Sequence, residues 1–115
     1  MSKGFEIYIE YSKRVRDVLE NPLGLLTGIK NDILRYVQDA KVYLFGSVAQ
    51  GKYTLSSDID ILVVSDRLEG VDKDVIKAYV KMKYIDYPIE LHMISRREFE
   101  RWYRRFIDES GLIEI

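Results

Sequence analysis

The chain has 115 residues, the size of a single domain, and 47% of them are hydrophobic, enough for a core. Lys and Arg total 18 against 19 Asp and Glu, so a general nucleic-acid binder, which shows a basic surplus, is disfavoured. The absence of cysteine excludes disulfides and cysteine-ligated zinc. No apolar run approaches the roughly 18 residues of a membrane span, and no signal-peptide core is present. We therefore expect one soluble, cytoplasmic domain over residues 1–115.

The first segment fits two templates. Apolar residues alternate as in a strand over residues 5–11, whereas Ile7, Tyr11, Val15 and Val18 follow a helical stripe. The helical stripe extends further along the chain, so the pattern favours a helix.

A second helix is predicted to follow directly. Asn21 is the expected N-cap and Pro22 the expected first-turn proline. Gly24 and Gly28 weaken the first turns, so the ordered part is expected to start nearer Gly28.

The rest of the chain alternates between strand and helix patterns. Residues 59–64 form a continuous apolar run, typical of a strand that is buried on both faces. Ser95 and Glu98 fit a capping box at the start of a last helix. The order predicts an α/β (α+β) fold, a small mixed sheet flanked by helices. The other predicted elements are strands at 42–45 and 87–94, a helical stripe (Val71, Val75, Ile76, Tyr79, Met82), and a tail at 111–115 that is either an edge strand or disordered.

Two aspartates open the apolar run at 59–64. On a strand, residues i and i+2 point to the same face, so Asp58 and Asp60 can converge while Ile59 and Ile61 enter the core. Two adjacent carboxylates repel each other unless a cation lies between them. Mg²⁺ takes hard oxygen ligands and commonly joins carboxylates to substrate phosphates, so this pair predicts a site for Mg²⁺.

Gly46 and Ser47 stand where an earlier strand ends. Gly46 allows close approach of the backbone to a ligand, and N–H groups at a following helix start, with the Ser47 hydroxyl, would bind phosphate oxygens. Gly51 can end that short turn. The sequence therefore predicts phosphate binding and metal binding on adjacent elements.

A third carboxylate is expected from the strand at 87–94. There Ile89, Leu91 and Met93 share one face, and Glu90 and His92 share the other. A charged Glu in so apolar a strand needs a partner. Glu90 beside Asp58 and Asp60 would complete a three-carboxylate site for two metal ions.

These motifs carry a family resemblance. Gly46-Ser47, ten intervening residues, Asp58-Ile59-Asp60 and a later strand carboxylate resemble the minimal nucleotidyltransferases of the DNA polymerase beta-like superfamily. The motif core spans about residues 41–95. The family pattern commonly has Asp where Glu90 stands here.

The resemblance implies a function. It implies two Mg²⁺ ions and transfer of NMP from an NTP, most simply AMP from ATP, with release of pyrophosphate. Asp58, Asp60 and Glu90 would be the catalytic and metal-binding residues, and Gly46 and Ser47 would bind the nucleotide. Small members often resemble antitoxins that pair with HEPN-type toxins and adenylylate them, so the expected acceptor is a hydroxyl on such a partner.

Simpler structural roles remain open for each residue. Asp58 could close the turn at 56–58, Ser47 could cap a helix, and Glu90 could pair with Lys41 or Lys52. His92 shares the side of Glu90 and could border the site. The last helix has clusters that fit a solvated face (Arg97, Arg101, Arg104, Arg105) and core or interface packing (Phe99, Trp102, Tyr103, Phe106).

Two other functions remain as alternatives. A non-catalytic antitoxin would neutralise its partner by binding alone. A small-molecule nucleotidyltransferase, for example one acting on an aminoglycoside, would need an acceptor pocket, for which the short chain leaves little room.

Overall fold

The computed structural model describes residues 2–103 and 111–115, with backbone only for Trp102 and Tyr103. The predicted α/β fold is confirmed, and so is the element order. The helices are α1 Lys3–Glu20, α2 Leu23–Tyr36, α3 Lys73–Lys83 and α4 Arg96–Glu98, the last continued by a π-helical segment, Phe99–Tyr103; the strands are β1 Lys41–Phe45, β2 Ile59–Val64, β3 Ile89–Ile94 and β4 Leu112–Glu114.

The four strands form one mixed sheet in the order β3-β2-β1-β4. Strand β1 runs antiparallel to both β2 and β4, whereas β2 and β3 are parallel and joined by the α3 crossover. The tail is therefore an edge strand, and its disordered alternative is wrong. Among the described residues, no helix combines the length and apolarity needed to cross a membrane.

The two faces of the sheet differ. One face carries the main core, where Ile59, Ile61 and Val63 of β2 are fully buried against residues of α1, α2 and α3. The opposite face carries a smaller cluster around Leu62 and Val64. Because β2 is covered on both faces, its continuous apolar run is explained.

The helix boundaries correct part of the sequence interpretation. Asn21 ends α1, since its N–H donates to the carbonyl of Asp17 at 3.0 Å, and it does not cap α2. Pro22 holds the N-cap position, its carbonyl accepting from the N–H of Leu26 at 2.9 Å. Helix α2 therefore begins at Leu23 rather than near Gly28.

Helix α3 buries fewer residues than its stripe predicts. Ile76 and Val80 are buried, whereas Val75 and Met82 are 58% and 75% exposed. Asp72 fixes the start of the helix because its side chain accepts from the N–H of Val75 at 3.1 Å. The outer side of α3 thus presents apolar side chains to solvent.

The last helix begins as predicted. The Ser95 hydroxyl accepts from the N–H of Glu98 at 3.1 Å, and the Glu98 carboxylate accepts from the N–H of Ser95 at 3.3 Å. Phe99 stacks on Tyr43 with ring centroids 5.5 Å apart, so it packs against the sheet. Arg97 and Arg101 are exposed, and Arg104, Arg105 and Phe106 lie outside the described residues.

A buried carboxylate joins α2 to the end of α3. Asp32 accepts from Lys83 Nζ at 2.9 Å and from the Tyr84 hydroxyl at 2.6 Å. Gly28 makes room for that hydroxyl, which would lie 3.1 Å from a Cβ at this position. Burial raises the pKa of Asp32, but the hydrogen bonds from Tyr84 and Lys83 outweigh it, and the pKa lies below its ordinary value of 3.8.

We predict that Tyr84→Phe lowers the free energy of unfolding by about 1.5–3 kcal/mol, because the buried Asp32 carboxylate loses a hydrogen bond. Tyr36→Phe, a change on an exposed ring, should shift it by less than about 0.5 kcal/mol. The stabilisation from Asp32 is complete above pH 3.8 and is lost as the pH falls through its folded-state pKa. Urea unfolding at neutral and acid pH measures both effects, and equal stabilities of the two variants would contradict this role.

Candidate active site

The site is built on the face of the sheet that the main core does not cover. Asp60 is the second residue of β2 and pairs in register with Phe45 of β1 and with Glu90 of β3. Adjacent strands lie about 4.8 Å apart, so the three side chains form a row across the sheet. Asp58, just before β2 and two residues from Asp60, is exposed beside this row.

Gly46 follows Phe45 and touches Asp60. Its φ of +80° is a left-handed conformation that favours glycine, and a Cβ there would lie 2.6 Å from the Asp60 Oδ2 atom. The glycine is therefore required twice, by the backbone turn and by the approach of the carboxylate.

The residues after Gly46 form turns rather than the short helix that the sequence suggests. The Gln50 N–H donates to the Gly46 carbonyl at 3.2 Å and the Lys52 N–H to the Ser47 carbonyl at 2.9 Å. Gly51, with φ of +71°, ends this loop. Ser47 is half-buried in it, beside the glycine that contacts Asp60.

The turn before Asp58 is closed by other residues. The Ser57 hydroxyl accepts from the N–H of Thr54 at 2.8 Å, and the Thr54 carbonyl accepts from the N–H of Ser57 at 3.0 Å. Among the described residues, no ion pair joins Glu90 to Lys41 or Lys52. The structural roles considered for Asp58 and Glu90 thus find no support in these contacts.

His92 lies next to the carboxylate of Asp60. Its Nε2 atom is 3.7 Å from the Asp60 Oδ1 atom, and its ring packs edge-on against Phe45 at 5.2 Å between centroids. The parity of β3 placed His92 on this face, but the contact with Phe45 could be inferred only from the strand register.

The surroundings of Asp60 disfavour the charged form of its carboxyl group. Burial raises its pKa above the ordinary value of 3.8, and the negative charges of Asp58 and Glu90 act in the same direction, while His92 opposes them. A cation bound beside Asp60 would offset the cost of burying the charged carboxylate and its repulsion by Asp58 and Glu90.

The donor set fits Mg²⁺. Carboxylate oxygens are the hard ligands that this ion prefers, and it is usually held by one or two of them together with substrate phosphates. Among the described residues, no group of three or more His, Cys, Asp or Glu side chains is placed to hold a metal ion, so the expected cluster of Asp58, Asp60 and Glu90 is not assembled as a metal site. A metal ion here would need further ligands, such as the phosphates of a bound substrate.

Comparison with known proteins decides the family. The model of the nucleotidyltransferase domain matches residues 26–115. The chain belongs to the nucleotidyltransferase domain family. The match covers β1, β2 and β3 and the candidate site residues on them, but not α1.

Relatives of this nucleotidyltransferase agree with that assignment. A Methanocaldococcus jannaschii protein described as a "putative protein adenylyltransferase" is 40% identical over 58 residues, which is 50% of this chain and 54% of that protein. The chain thus matches about half of the length of this relative. A crystal structure described as a "putative nucleotidyltransferase" is 33% identical with a TM-score of 0.63, covering 80% of this chain and 98% of that one.

A second solved structure supports the fold alone. This Sulfolobus solfataricus protein, also described as a "putative nucleotidyltransferase", is 22% identical with a TM-score of 0.50. The match covers 92% of the present chain and 83% of the S. solfataricus chain.

We predict that Gly46→Ala destabilises the nucleotidyltransferase by about 1–3 kcal/mol more than Gly51→Ala, because only the first added methyl group meets Asp60. In both variants the alanine would have to adopt a positive φ, which is unfavourable, so Gly51→Ala is the matched control. Adding Asp60→Ala to Gly46→Ala should remove most of the difference. Thermal or urea unfolding measures it, and equal losses in the two single variants would contradict the contact.

We predict that Asp60→Asn raises the melting temperature of the metal-free protein at neutral pH. Because the folded state binds the Asp60 proton more tightly than the unfolded chain, ionisation costs stability as the pH rises above 3.8. The gain should disappear at pH values below 3.8, where the carboxyl group is protonated in both states. A gain that stays constant over the whole pH range would show that charge is not its cause.

Proposed function

We propose that this nucleotidyltransferase moves NMP, with ATP as the expected donor, to a hydroxyl group on a partner protein in a Mg²⁺-dependent reaction. The observation that carries the proposal is the row of Asp60 and Glu90 in register, with Gly46 against the Asp60 carboxylate. The description of the M. jannaschii relative as a protein adenylyltransferase supports a protein acceptor.

Each residue has a chemical role in this proposal. Asp58 and Asp60 would hold the metal ions, and Gly46 and Ser47 would bind the phosphates of the nucleotide. Bound Mg²⁺ supplies neutralisation of the charge on the triphosphate and on the departing pyrophosphate. Glu90 would complete the metal site and accept the proton of the acceptor hydroxyl.

The proposed transfer needs no reactant besides the NTP and the acceptor hydroxyl. The acceptor oxygen forms a bond to the α-phosphorus, and the bond from that phosphorus to the β-phosphate oxygen breaks. Pyrophosphate leaves, and the hydroxyl proton passes to Glu90. Catalysis of this kind depends mainly on positioning and charge stabilisation, which a rigid row of side chains on a sheet provides.

The resemblance to minimal nucleotidyltransferases extends the proposal to a biological role. The partner would be a HEPN-type toxin, and the protein would act as its antitoxin by modifying a hydroxyl such as that of a tyrosine. A non-catalytic antitoxin would need neither the nucleotide nor the charges of Asp58 and Asp60.

We predict that Asp58→Asn and Asp60→Asn each reduce NMP transfer by at least about 100-fold, because each removes a charge that holds the metal. The measurement uses ATP labelled at the α-phosphate, Mg²⁺ and an extract of the source cells, with labelled protein as the readout. Asp17→Asn, which changes an exposed aspartate on α1, should label like the wild type.

Unchanged labelling by Asp60→Asn would refute the site. Toxin neutralisation that survives Asp58→Asn and Asp60→Asn, with no labelling by the wild type, would favour the binding-only antitoxin.

A further inference from the structure

The proposed transfer constrains the direction from which the acceptor arrives, and the following inference depends on that proposed function. The attacking oxygen and the leaving pyrophosphate lie roughly in line on opposite sides of the α-phosphorus. Gly46 and Ser47, the proposed phosphate site, follow β1, whereas β3 lies on the other side of β2. The acceptor must therefore approach Asp60 from the side of β3.

A groove lies on that side. It has a volume of about 460 Å³ and contains both Asp58 and Glu90 in its wall. A narrower groove, which shares Lys81, Ile89 and Glu90 with it, continues along β3 to Leu91. We call the two together the acceptor groove; its other lining residues include Lys77, Met82, Ile85, Tyr87 and Pro88.

The floor of the acceptor groove is an edge strand. Strand β3 is the last in the order of the described sheet, with β2 on one side. The N–H of Ile59 donates to the Pro88 carbonyl and that of Ser65 to the Ile94 carbonyl, so even-numbered residues of this stretch turn their backbone towards β2. By strand alternation, Leu91 directs its backbone groups outward, where an extended segment could pair with them.

The walls of the acceptor groove have two chemical characters. Met82 and Ile85, near the end of α3, are 75% and 76% exposed, an apolar pair beside the carboxylates. Lys77 and Lys81 stand one turn apart on α3 and bring positive charge along the same edge. An extended chain with apolar and acidic side chains complements both.

We propose that the acceptor groove binds an extended polypeptide segment of the partner that carries the acceptor hydroxyl. Apolar side chains of the segment would contact Met82 and Ile85, an acidic side chain would face Lys77 and Lys81, and the hydroxyl would reach Glu90. The edge strand favours a polypeptide over a nucleic acid, because the outward backbone groups of Leu91 can pair with another backbone.

The first test places a charge in the apolar wall. Met82→Glu and Ile85→Glu should each reduce labelling of the acceptor protein by about tenfold or more, since a carboxylate there opposes apolar contact. The affinity for ATP with Mg²⁺, measured by calorimetry, should stay within about twofold of the wild type. Ile7→Glu, a change at a 62% exposed residue of α1, is the matched control and should label normally.

Normal labelling by both groove variants would overturn the proposal while leaving the proposed function intact. Labelled nucleic acid in place of labelled protein would also overturn it.

The second test does not depend on transfer, so it separates failure of the groove from failure of the proposed function. A blocked peptide with a central tyrosine flanked by alternating glutamate and leucine is titrated to about 1 mM against ¹⁵N-labelled protein, a range that detects weak binding. Amide shifts at Lys77, Lys81 and residues 85–93 would support the groove, even if the protein shows no NMP transfer. No shifts, or shifts confined to α1, would overturn it.

Discussion

The site depends on the burial of β2. Ile59 and Ile61 are fully buried between the sheet and the helices, so they fix which face of the strand points into the core. Because side chains alternate, Asp60 must then face the other way, and a slip of one residue would expose the core and bury the charge. The pairing of β2 with β3 sets Glu90 beside it, and the end of β1 brings Gly46 against its carboxylate. The active-site geometry is therefore a consequence of the same packing that stabilises the sheet.

Two carboxylates in this protein show how environment separates a structural from a functional role. Asp32 is buried, but Lys83 and Tyr84 satisfy it so well that its pKa is lowered. Asp60 is more exposed, yet burial and the nearby carboxylates of Asp58 and Glu90 raise its pKa, and His92, 3.7 Å away, only partly opposes them. A charge that the fold leaves poorly compensated is typical of a functional site, since a substrate or ion can supply what is missing.

Much of this could be predicted from the sequence, because it depends on local rules. Strand alternation placed Asp60 and Glu90 on a common side, and the capping box at Ser95 was visible from residue spacing. The predicted start of α2 was wrong because Gly28 lies inside the helix, where its lack of a side chain makes room for Tyr84. The acceptor groove could not be predicted either: the spacing of Met82 favours a core position, whereas the structure leaves its side chain 75% exposed in the groove wall.

The most direct test is a crystal structure of the protein with a non-hydrolysable ATP analogue and Mn²⁺ in place of Mg²⁺. We expect anomalous signal from the metal between Asp58, Asp60 and the phosphates, with metal–oxygen distances of about 2.0–2.3 Å. The β- and γ-phosphates should contact the loop at Gly46 and Ser47, and the α-phosphorus should face Glu90. A nucleotide bound away from this row, or metal that avoids both aspartates under conditions where the analogue binds, would contradict the assignment of the site.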